Sequence, residues 1–161
     1  MATQASENQL RQRVFRYAPL VLWVTLIFVL GSNMGSMSET SRIIGPVLKF
    51  LFPNAPPETL TQIHGYIRKL AHVTEYGILA ILAARAFRDS AVRILSRYAY
   101  PAALLLVLIV AATDEFRQSF EPARTSSPYD VLIDILGGIV ALTLLQLAKK
   151  LRRRRSENTV I

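Results

Sequence analysis

Lys69, His72, Glu75 and Tyr76 stand within one eight-residue run of the chain, and at about 100° per residue they share an arc of roughly 120° on a helix. Asp114, Glu115 and Gln118 form a second stripe, and Asp130 and Asp134, four residues apart, form a third. Arg124 lies in the short turn between the second and third stripes, bounded by Pro122 and Pro128. Carboxylates gathered at low dielectric resist simultaneous ionisation, so one or more protons would be held near neutral pH, with Lys69 and Arg124 opposing the effect. Combined with an imidazole, that is acid–base chemistry. The candidate catalytic groups are therefore His72, Glu75, Asp114, Glu115 and Asp130, and the candidate binding groups are Lys69, Tyr76, Gln118, Arg124 and Asp134.

The His72-x-x-Glu75 spacing also leaves a divalent metal open as a cofactor, because helical i, i+3 positions point two ligands the same way. The Glu-x-x-His order of di-iron bundles is absent. Ser119, Ser126 and Ser127 are near the second stripe, but no nucleophile-elbow sequence accompanies them. Any one of these polar residues has a plainer explanation as an ion pair or hydrogen bond that sets helix register. Eight of them exceed that need, since each ionisable group in a bilayer adds about 2.5–3.5 kcal/mol of insertion cost.

A bilayer is at issue because of what surrounds the stripes. Apolar runs fall at Tyr17–Met34, Leu70–Phe87, Tyr98–Thr113 and Val131–Ala148, each near the lower limit of the roughly 17–25 residues that span a membrane as a helix. The expected fold is all-α, a polytopic membrane protein with four transmembrane helices. Ala18–Leu30 and Ala102–Ala112 contain no charge, which argues against a soluble bundle. Between the first two spans, Ile43, Ile44, Val47, Leu48, Leu51 and Phe52 recur at three- and four-residue spacing, the pattern of an external amphipathic helix lying on the leaflet or capping the bundle. Pro53, Pro56 and Pro57 break it, and Pro57-Glu58 opens a helix long enough to project from the membrane. His64, on that projection, reads as a solvated side chain.

The 161 residues are 52% hydrophobic, carry a net charge of +8 and include no cysteine, which excludes disulfides, thiolate metal sites and cysteine nucleophiles. Charge is unevenly placed. The N-terminal arm, the second connection and the tail hold thirteen bases against Glu7, Asp89 and Glu157, whereas the first and third connections hold six bases against eight acids. The positive-inside bias then puts both termini in the cytoplasm and the polar stripes at the outer face of the membrane. Residues 1–16 read as a cytoplasmic basic arm, of which Glu7–Arg16 lies along the inner surface, 17–148 as the membrane domain and 149–161 as a cytoplasmic basic tail. Arg152–Arg155 directly follow a span, where anionic lipid and topology account for them better than nucleic acid does.

With these residues in view the chain resembles the VanZ-like family of small bacterial membrane proteins. The matching elements are Arg68-Lys69-x-x-His72-x-x-Glu75-Tyr76, then Asp114-Glu115-x-x-Gln118-x-Phe120-x-Pro122-x-Arg124, then Asp130 and Asp134-x-x-Gly137. The family usually has asparagine where Asp134 stands and glycine where Ala123 stands, and the first departure adds an acid. The resemblance implies an association with low-level resistance to the glycopeptide teicoplanin and brings no settled biochemical activity. The expected function is a cell-envelope role in which an outward pocket binds a lipid-linked or phosphate-bearing headgroup. The alternative is a hydrolase or transferase acting on such a lipid, with His72 and Glu75 as acid and base and Asp114, Glu115 and Asp130 holding water or metal. A proton-linked transporter is disfavoured, because inverted repeats and broken helices are absent from the sequence.

Overall fold

The computed structural model describes residues 2–32, 36–120 and 127–158. Six helices follow one another: α1 (Ala2–Leu30), α2 (Met37–Leu51), α3 (Pro57–Arg88), α4 (Arg93–Arg97), α5 (Ala99–Gln118) and α6 (Pro128–Asn158). Four of them, α1, α3, α5 and α6, are long and apolar enough to cross a membrane, and the protein is an all-α, multi-pass membrane protein. At 1.5 Å per residue the 32 residues of α3 extend about 48 Å, well beyond a hydrocarbon core of about 30 Å.

Local sequence sets the ends of these helices. Ser36 caps α2, its hydroxyl accepting from the Glu39 amide at 3.3 Å, and Pro57 occupies the first turn of α3, where a missing N–H leaves nothing unsatisfied. Within the spans, Thr25, Thr74, Thr113 and Thr143 each donate their hydroxyl to the carbonyl four residues earlier, which keeps these polar atoms satisfied where lipid offers no partner.

The packing is built on small residues. α3 packs most extensively on α6 and next on α5, and Ala80, Ala83, Ala84 and Ala86 of α3 are fully or almost fully buried with Ala103, Val107 and Ala111 of α5. At the α3–α6 crossing a Cβ on Gly137 would stand 2.6 Å from the Val73 carbonyl oxygen, and one on Gly77 would stand 3.3 Å from the Ala141 methyl. Only glycine at 137 permits that approach. In lipid, helix association relies on such close van der Waals contact, because acyl chains are as apolar as leucine. The outward surface is correspondingly apolar: Leu22, Leu105, Ile109, Leu132, Leu136, Val140 and Leu144 are all exposed, an arrangement suited to acyl chains as solvent.

α1 is attached more loosely, through α3 and three polar ties. Tyr17 donates to the Ser90 hydroxyl at 2.9 Å, Trp23 Nε1 to the Glu75 carbonyl at 2.9 Å, and Arg117 Nη2 to the Phe28 carbonyl at 2.6 Å. The basic arm continues α1 without a break, and α6 likewise runs through the start of the tail. One expectation changes here. His64 is not solvated but 3% exposed. Its Nε2 lies 3.1 Å from the Thr40 hydroxyl and its Nδ1 3.2 Å from the Ser41 hydroxyl, so it clasps α2 onto α3. α2 thus buries Leu48 against the bundle and leaves Ile43, Val47 and Phe50 exposed.

Candidate functional site

The C-terminal ends of α1 and α5 and the N-terminal halves of α3 and α6 meet at one end of the bundle, beneath α2, and enclose two adjoining cavities. The larger, of about 260 Å³, is lined by Arg68, Lys69, His72, Glu115, Gln118, Asp130 and Asp134, with Met37 of α2 at its edge. The other, of about 150 Å³, is lined by Glu75 and Asp114 with Leu30, Gly31, Ile44 and Ile67. Arg68 and His72 belong to both walls. The three stripes of the sequence thus converge on a divided site rather than a single pocket: one chamber is lined mainly by polar and charged residues, and the other adds two acids to a largely apolar wall.

The buried acids have partners within the fold. Asp114, 2% exposed, accepts from Arg117 Nη2 at 3.1 Å and from the Gln118 amide one turn on. Its carboxylate lies against Gly31, where an added Cβ would force the acid to shift from its partners. Glu115, 6% exposed, accepts from the Ser127 amide at 3.0 Å, which ties the start of α6 to α5. Asp134 is 1% exposed, and its Oδ1 faces His72 Nδ1 at 3.6 Å. That distance is beyond a direct hydrogen bond.

Tyr76 lines neither cavity. It is 1% exposed and lies behind them, its ring stacked on that of His72 with centroids 6.3 Å apart. The hydroxyl lies within electrostatic reach of Asp114, Asp134, Glu75 and Glu115 and has no hydrogen-bond partner among the described residues. Lys69 is exposed at the mouth of the polar chamber. Arg124 lies outside the described residues. Among the described residues, no group of three or more histidine, aspartate or glutamate side chains is arranged to hold a metal ion.

Two arginines matter more than their sequence context indicates. Arg68 approaches Met37 Sδ at 3.7 Å and separates the chambers, and the i, i+4, i+8 series His64, Arg68, His72 was the signal that they share a face. Arg117 holds Asp114 and the end of α1 together, and its i, i+3 spacing from Asp114 was the corresponding sign. The contact of Gly31 with Asp114 had no sequence signal.

The family model described as VanZ/LLP1 matches residues 14–149, a stretch that includes α3 and α5 whole, most of the other two spans and every residue of both chambers. No curated protein and no solved structure matches the chain.

Proposed function

The chain belongs to the VanZ/LLP1 family, and from its site we propose that it is a bacterial inner-membrane protein that binds a phosphate-bearing lipid of the cell envelope. The observation that carries this reading is a contrast within the polar chamber. Of its buried acids, Glu115 accepts from the Ser127 amide and Asp134 faces the His72 imidazole, whereas Arg68 and Lys69 form no ion pair among the described residues. Two cations at the mouth suit a phosphate, and a guanidinium offers it parallel N–H donors. Gln118 supplies an orienting amide, and the adjoining chamber offers Leu30, Ile44 and Ile67 to the first carbons of an acyl or isoprenoid chain.

The uneven distribution of bases supports an orientation with both termini in the cytoplasm, in which the chambers open outward at headgroup depth. The link to teicoplanin that the family resemblance brings fits a protein that engages an envelope lipid on that face. Its test is the glycopeptide sensitivity of cells with and without the chain.

Trp23, the only tryptophan, is bonded to the Glu75 backbone beside the site, so its emission reports binding directly. Purified protein titrated with polyprenyl phosphate is expected to give a saturable change in Trp23 emission that moves to higher lipid concentration in Arg68→Ala and in Lys69→Ala. A response equal in wild type and both variants, or equally strong with phosphatidylcholine, overturns the reading.

The Tyr76 hydroxyl and His72 Nδ1, both buried without a hydrogen-bond partner among the described residues, favour a second reading, a hydrolase or transferase on the same lipid. There His72 and Glu75 move the proton, Asp114, Glu115 and Asp130 order water or metal, and Tyr76 is a further donor. Phosphate release from the lipid that disappears in His72→Ala and Glu75→Gln would select it over binding alone.

A further inference from the structure

The opposite end of the bundle, where the helices carry the chain termini, has its own cavities. One of about 560 Å³ between α1 and α3 presents Arg11, Arg16 and Arg85, with the amides of Asn8 and Gln12, around the ring of Phe15. A second of about 200 Å³, where α3, α5 and α6 meet, presents Arg85, Arg88 and Lys149 beside Tyr100, with Ile81 and Leu145 as its apolar wall. Arg85 stands in the shared wall.

The charges here are not balanced internally. Arg11, Arg16, Arg85 and Lys149 form no ion pair among the described residues. The one carboxylate lining the first cavity, Asp89, lies 3.7 Å from Arg88. Arg11 instead stacks on Phe15 at 5.6 Å, which keeps its guanidinium edge available for hydrogen bonds. Cations grouped at the edge of a low-dielectric phase attract an anion, and each cavity places apolar side chains beside them where a free phosphate has no use for such contacts. Two sets of cations that meet at one arginine suit two phosphates on a short linker.

We propose that this end of the bundle is a second lipid site, which takes a phospholipid with two phosphates, of the cardiolipin class, with one phosphate in each cavity and Arg85 between them. Basic pockets between membrane helices are a recurrent setting for such headgroups. The site is independent of the polar chambers and of whatever they bind.

Native mass spectrometry of the full chain, released from an uncharged detergent after equilibration with lipids at matched phosphate, tests this. Cardiolipin is expected to be retained at least tenfold more strongly than phosphatidylglycerol, and phosphatidylcholine not at all. Arg85→Gln should reduce cardiolipin to the level of phosphatidylglycerol while leaving the Trp23 response to polyprenyl phosphate unchanged, and Arg85→Lys should fall between. Because Arg85 is exposed, folding is not expected to depend on it, and the thermal transition checks this. Equal retention of the two anionic lipids, unchanged cardiolipin binding in Arg85→Gln, or complete displacement by millimolar inorganic phosphate would overturn the proposal.

Discussion

The two ends of the bundle treat charge in opposite ways. At the polar end, Asp114, Glu115, Gln118 and Asp134 are buried, and the fold supplies donors or a facing imidazole to the three acids: Arg117 and Gln118 for Asp114, the Ser127 amide for Glu115, His72 for Asp134. At the terminal end, Arg11, Arg85, Arg88 and Lys149 are exposed, and acids are scarce. Burying a charge is tolerated only when the surrounding helices are positioned to meet it, which makes the polar end a product of tight packing. Exposed cations make no such demand, so the terminal end packs through small apolar residues such as Ala83, Ala86 and Ala103 and leaves its charge for a partner outside the protein.

If that contrast is correct, damage should be large at the polar end and small at the other. The largest effect is expected from Gly137→Leu, since the Val73 carbonyl leaves no room for a side chain. Separation of α3 from α6 should lower stability by about 3 kcal/mol, read as the thermal midpoint in detergent. Asp114→Ala comes next. It strands Arg117 and Gln118 and should lower stability by about 2 kcal/mol, less than for a fully buried pair because the Arg117 side chain is 41% exposed. An unchanged midpoint would mean that the acid is held by ligand chemistry rather than by the fold.

Lys69→Ala divides function from stability at the same end. Polyprenyl phosphate binding should weaken about tenfold, or about 1.4 kcal/mol, with no shift in the thermal transition. His64→Ala tests the α2 clasp. Loss of its contacts with Thr40 and Ser41 should reduce stability by about 1 kcal/mol and speed tryptic cleavage at Lys49, measured as the half-life of the intact chain. The smallest effect belongs to the terminal end, where Arg88→Gln should leave the midpoint within about 0.5 kcal/mol of wild type. A larger loss there would break the contrast.

The readable part of this protein was the part that depends on spacing along the chain. Run length and hydropathy announce four spans, and 3.6-residue periodicity places Lys69, His72 and Glu75 on one face, Asp114, Glu115 and Gln118 on another and Asp130 with Asp134 on a third. Those are properties of single helices, which the backbone's own hydrogen bonds determine before any helix meets another. How faces combine is a different matter. That Arg68 and His72 divide the site into two chambers, that Tyr76 lies behind them, that His64 faces inward under Thr40 and Ser41, and that Gly31 makes room for Asp114 all depend on the distances and rotations between helices. Those relations come from non-local packing, set at Gly77 and Gly137 by contacts between residues some sixty positions apart in the chain, and no local period records them.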